Sequence, residues 1–107
     1  MASKRYRLVF TEAAERDLDD IVKYISVELA NPKAATDFLD HLAEISDDIC
    51  LYPESGPKVD NEFVQKNVRY KIIGNYILYY LPQKEDKISY VLRIIYGRRD
   101  LRKITLL

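Results

Sequence analysis

Polar and apolar positions alternate from Arg5 to Phe10, with Tyr6, Leu8 and Phe10 on one side and Arg5 and Arg7 on the other, which predicts a strand. The period then lengthens. Ala14, Leu18, Ile21 and Ile25 recur at steps of four, three and four, forming one apolar stripe with Glu15, Asp19, Asp20 and Lys23 on other faces. Thr11 offers its hydroxyl as the N-cap, and Glu12 and Glu15 sit where the helix dipole favours carboxylates, so a helix is predicted from there to about Ser26 or Glu28. Asn31-Pro32 starts a second helix, because Asn caps well and Pro at the first helical position gives up a donor that would be unpaired anyway. Phe38, Leu42, Ile45 and Ile49 form its stripe. So short a link predicts an antiparallel helical hairpin with its acidic faces in water.

Pro53 to Pro57, with Ser55-Gly56 between, closes the hairpin, and the remainder reads as strands at about Val64–Ile73, Tyr76–Leu81 and Ile88–Tyr96. Gly74-Asn75 and the polar stretch Pro82–Lys87 are the turns. Three consecutive antiparallel strands are the simplest arrangement. With the first strand added, the order is β-α-α-β-β-β: an α+β domain over residues 1–107 whose helical hairpin covers one sheet face.

Composition narrows the chemistry. Hydrophobic residues at 48% against 32% charged suit a folded core rather than a disordered chain. Cys50 is the single cysteine and His41 the single histidine, so neither an internal disulfide nor a metal-ligand cluster is expected. Cys50 lies between Ile49 and Leu51 and reads as a buried helix residue; His41 reads as solvent-facing. Arg5 runs directly into the first strand without a signal-peptide core, and no later run approaches the roughly 18 apolar residues of a membrane span, so a cytoplasmic location is expected.

Net charge is zero, yet residues 1–56 hold 6 Lys/Arg against 12 Asp/Glu and residues 57–107 hold 11 against 5. The basic half is expected to meet an anionic or acidic partner. Arg69 and Lys71 share one strand, Arg93 lies on another, and Arg98, Arg99, Arg102 and Lys103 follow, with Tyr90 and Tyr96 alongside. The competing reading of Arg93 is an ordinary ion pair with a helix carboxylate. Most of the nine tyrosines are expected to pack against the sheet, with Tyr79 or Tyr96 the candidates for stacking on a target.

Several segments, in this order and spacing, resemble the RelE/ParE toxin superfamily along nearly the whole chain. They are Tyr6-Arg7-Leu8-Val9-Phe10-Thr11-Glu12-Ala13-Ala14, Asp17-Leu18-Asp19-Asp20-Ile21-Val22-Lys23-Tyr24-Ile25 and Tyr52-Pro53-Glu54-Ser55-Gly56. Val68-Arg69 follows, then Asn75-Tyr76-Ile77-Leu78-Tyr79-Tyr80 and Leu92-Arg93-Ile94-Ile95-Tyr96-Gly97-Arg98-Arg99-Asp100-Leu101. The resemblance implies a plasmid-stabilisation type toxin, encoded beside an antitoxin that wraps it into a hetero-oligomer and masks its toxic surface. RelE-like members cut messenger RNA on the ribosome, whereas ParE-like members inhibit DNA gyrase.

Metal-free RNA cleavage needs a base for the 2′-hydroxyl, a cation for the phosphate and an acid for the leaving oxygen. Against the RelE-like pattern, Ile77 stands where an arginine is expected and Thr105 or an aliphatic neighbour where a C-terminal tyrosine is expected, and His41 belongs to a helix. The expectation is therefore a ParE-like gyrase inhibitor, without catalytic residues, cofactor or metal. Its target surface is expected to be Arg69, Lys71, Arg93, Tyr96, Arg98, Arg99, Arg102 and Lys103. The alternatives are an endonuclease acting on the ribosome and its mRNA, with Arg69, Arg93 and Arg99 as phosphate clamps, and a non-toxic module that only pairs with an antitoxin.

Overall fold

The computed structural model describes residues 5–62 and 64–97. Within them the order is β1 (Arg7–Phe10), α1 (Glu12–Lys23), a π-helical turn (Tyr24–Glu28), α2 (Pro32–Leu51), β2 (Arg69–Ile73), β3 (Tyr76–Gln83) and β4 (Ile88–Tyr96). The α+β class and the order of elements are those expected from the sequence.

Thr11 does two things at the junction of β1 and α1. Its hydroxyl accepts from the Ala14 N–H at 3.1 Å, capping the helix, and donates to the Leu92 carbonyl at 3.0 Å, tying that cap to β4. The helical span reaches Glu28 as predicted, but its last turn is π rather than α. Leu29 N–H bonds the Tyr24 carbonyl at 3.0 Å, and Ala30 ends the turn at φ 49. No glycine is available there to terminate the helix cheaply. Asn31 caps α2 through Oδ1 and the Ala34 N–H at 3.1 Å, with Pro32 in the first turn.

The sheet order is β1-β4-β3-β2. The last three strands are antiparallel as predicted, while β1 runs parallel to β4, Arg7 beside Ile88 and Phe10 beside Val91, so the sheet is mixed. Alternation places side chains on faces without specifying strand direction. β3 continues through Pro82 to Gln83, into the stretch predicted as a turn; β2 pairs only as far as Tyr80, so at Pro82, opposite Ser89, β3 has β4 alone as neighbour. β2 starts at Arg69 rather than near Val64, because Asn67 takes φ 76 and breaks the extended run.

Two cores result. On one face the helical stripes, with Ala14, Ile21, Phe38, Leu42, Ile45 and Ile49, pack on Ile73, Leu78, Tyr80, Val91 and Ile94. On the other, the connection after α2 folds back, and Val59, Val64 and Val68 cover Tyr79, Leu81, Leu92 and Ile95. Tyr79 is 6% exposed in this second core, so it is packing rather than a stacking residue. A β-bulge sets Val91 opposite Tyr80 and Arg93 opposite Tyr79, with Leu92 as the extra residue. Val91 and Ile94 thereby both reach the helical core, and Arg93 is turned towards α1.

Candidate functional site

Asp17 lies on the buried side of α1, three residues after Ala14 and four before Ile21. Its carboxylate accepts from Arg93 Nε at 2.6 Å, Arg93 Nη2 at 2.9 Å and the backbone N–H of Ile94 at 3.0 Å. Parallel pairing with β1 ends at Val91, so the Ile94 donor points past the end of β1 and Asp17 completes that edge. The two side chains are 20% and 15% exposed. The hydrogen bond that Arg93 donates to Asp17 raises the Arg93 pKa further, against the lowering effect of burial. Arg93 thus joins α1 to β4, which is the competing ion-pair reading of this residue.

Arg69 is also engaged within the fold. Its Nη1 donates to the carbonyls of Glu54 at 2.9 Å and Gly56 at 2.7 Å. The Tyr80 hydroxyl sits beside it, accepting from the Gly56 N–H at 3.1 Å and donating to the Pro53 carbonyl at 2.8 Å. Burial pushes the Tyr80 phenol pKa up, offset in part by the Gly56 bond and the Arg69 charge. Together they fasten the segment that leaves α2. Arg69 and Arg93 lie two strands apart and reach towards different elements, so they do not converge on one phosphate position.

Of the other sequence candidates, Lys71 is half-buried on β2 and Tyr96 is 43% exposed at the end of β4. Arg98, Arg99, Arg102, Lys103 and Thr105 lie outside the described residues. Ile77 faces the second core, His41 is exposed on α2, and Cys50 is buried, with desolvation raising its thiol pKa. The carboxylate hydrogen-bonded to Arg93, that of Asp17, is taken up by the guanidinium and the Ile94 N–H, and Arg69 lies against backbone carbonyls. Among the described residues no helix is long and apolar enough to cross a membrane.

A cleft of about 580 Å³ opens between α1 and the end of β4, a feature the sequence reading did not anticipate. Asp17, Asp20, Ile21, Tyr24, Tyr76, Arg93, Ile94, Ile95 and Tyr96 line it. Tyr76 anchors its aromatic part, meeting Phe38 edge-on at 5.6 Å and Tyr96 edge-on at 5.9 Å. Burial, then the neighbouring Tyr24 and Tyr96, raise the Tyr76 pKa, which keeps its phenol neutral at physiological pH. The available sequence signal was Asp17, a carboxylate set within an apolar stripe.

The described residues thus form a mixed four-stranded sheet carrying a helical hairpin. Solved structures of this fold include the chromosomal ParDE toxin–antitoxin system from P. aeruginosa and the toxin–antitoxin complex RelBE2 from Mycobacterium tuberculosis. The first has a TM-score of 0.68 at 22% identity, covering 88% of this chain and 98% of that one. The second has a TM-score of 0.61 at 21% identity, covering 86% and 98%. No curated protein sequence matches the chain. The family model described as the ParE toxin of the type II toxin–antitoxin system parDE matches residues 8–101, and the chain belongs to that family.

Proposed function

We propose that this ParE-family chain arrests growth by binding DNA gyrase in the cytoplasm, without bond-making of its own, and that an antitoxin from an adjoining gene masks it in a hetero-oligomer. The observation that carries this reading is the commitment of the two described arginines that an RNase mechanism would need. Arg93 is clamped to Asp17 and Arg69 to two backbone carbonyls, so both guanidinium groups are occupied in holding the fold. A binder does not need either of them for chemistry. Its contact surface in this proposal is Lys71 and Tyr96, continued by Arg98, Arg99, Arg102 and Lys103, with Arg69 and Arg93 holding the frame behind them.

A supercoiling assay with purified chain tests the target: relaxed plasmid should remain relaxed when gyrase is mixed with micromolar protein, and normal supercoiling removes the gyrase reading. The resemblance of the sequence to RelE-like members keeps one other activity in view, cleavage of ribosome-bound mRNA. Primer extension on translated transcripts separates the two, since only an endonuclease leaves cuts within codons.

A further inference from the structure

The lining of the cleft between α1 and β4 favours one kind of occupant. Tyr24, Tyr76 and Tyr96 form its aromatic walls, and tyrosine ring faces carry negative potential that attracts cations. Asp20, also in the lining, is exposed and belongs to none of the ion pairs among the described residues, whereas Asp17 beside it is already bonded to Arg93. An anion would be repelled by Asp20, and a purely aliphatic group would desolvate that carboxylate without compensation. A guanidinium or ammonium on a long apolar stem meets both demands. The surface next to the cleft is apolar: Val27 and Leu29, 64% and 55% exposed, follow Tyr24 at the hairpin tip.

We propose that the recess of Tyr24, Tyr76, Tyr96 and Asp20 receives an arginine or lysine side chain of the antitoxin, whose apolar neighbours cover Val27 and Leu29. This rests on the toxin–antitoxin reading above and adds to it where the partner docks and by what chemistry. The excess of acids in residues 1–56 draws the same basic group from a distance.

The test is calorimetric titration of the full chain with the protein encoded by the adjoining reading frame. Tyr24→Ala should weaken binding by about tenfold and Asp20→Asn by about fivefold, in line with a partly desolvated cation on an aromatic face. Tyr24→Phe, which keeps the ring, should bind like the parent. Asp19→Asn is the charge control, because Asp19 faces a different hollow beside Leu8 and Phe10; it should change nothing. Equal weakening by Asp19→Asn and Asp20→Asn would reduce the effect to general electrostatics and overturn the proposal. Unchanged affinity in both Tyr24→Ala and Asp20→Asn, with the parent still binding, would overturn it too. So would a lowered melting temperature of the free variants at intact affinity, which would mean that a cation of the chain itself fills the recess. A parent chain that does not bind the neighbouring product at all refutes the toxin–antitoxin reading itself.

Discussion

Replacing Asp17 by Ala and Arg93 by Met, singly and together, measures whether Arg93 serves the fold or a target. Asp17→Ala removes the acceptor of three hydrogen bonds, one from the backbone of β4. Breaking a buried pair costs about 3–5 kcal/mol, and the residual exposure of these side chains puts this one near 3 kcal/mol. Arg93→Met keeps most of the apolar stem and leaves Asp17 the Ile94 N–H, so its cost should be smaller, about 2 kcal/mol. Once Asp17 is gone, removing the guanidinium charge should cost little more, so the double variant should lose about 3 kcal/mol rather than 5, a coupling of about 2 kcal/mol. Urea denaturation of the four purified chains reads all these values. Losses that add within about 0.5 kcal/mol would refute a direct clamp. Arg93→Met with parental stability and no growth inhibition would return Arg93 to the target surface.

Five further outcomes follow from the structure and the sequence. Tyr80→Phe strands the Gly56 N–H and the Pro53 carbonyl and should cost about 1–3 kcal/mol by denaturation; no loss would mean the hydroxyl fastens nothing. Gly56→Ala should cost a similar amount, less than additively with Tyr80→Phe, because its Cβ would lie 2.5 Å from the Tyr70 carbonyl oxygen and 2.7 Å from the Tyr80 hydroxyl. Stability should fall as pH rises past 9.0 and 10.0, the ordinary thiol and phenol values, because the Cys50 thiol and the phenols of Tyr76, Tyr79 and Tyr80 keep protons that the unfolded chain releases; an unchanged urea midpoint at about pH 11 would contradict this. The Ser89 hydroxyl is fully buried with no partner among the described residues, so Ser89→Ala should leave the melting temperature equal or higher. Induction of an Arg98→Glu/Arg99→Glu chain that is folded by circular dichroism should no longer stop growth; retained toxicity would exclude these two from the working surface.

The helices and β4 could be read from residues whose local chemistry leaves little choice: Thr11 and Asn31 as caps, Pro32 in the first turn, and Ile88 to Tyr96 as a half-buried strand. What escaped was set by partners distant in sequence. Alternation cannot say that β1 lies parallel to β4, nor that Val59, Val64 and Val68 form a lid for the second sheet face. For the same reason Tyr79 looked available and is packed away. The basic residues were legible as a class, but not their separate duties. Arg93 is turned by a bulge whose extra residue, Leu92, looks like any other strand position, and the carbonyls that hold Arg69 come from a loop.

The parallel pairing of β1 with β4 sets the order in which the molecule can be completed. Arg7 finds its neighbour at Ile88, so during synthesis the first strand waits, unpaired, until nearly all of the described chain has left the ribosome. Closure of so long a loop makes this a late and slow event in folding. A truncated translation product ending before Ile88 would lack the strand that seats both β1 and the Asp17 clamp, leaving an open sheet edge and an unfinished fold.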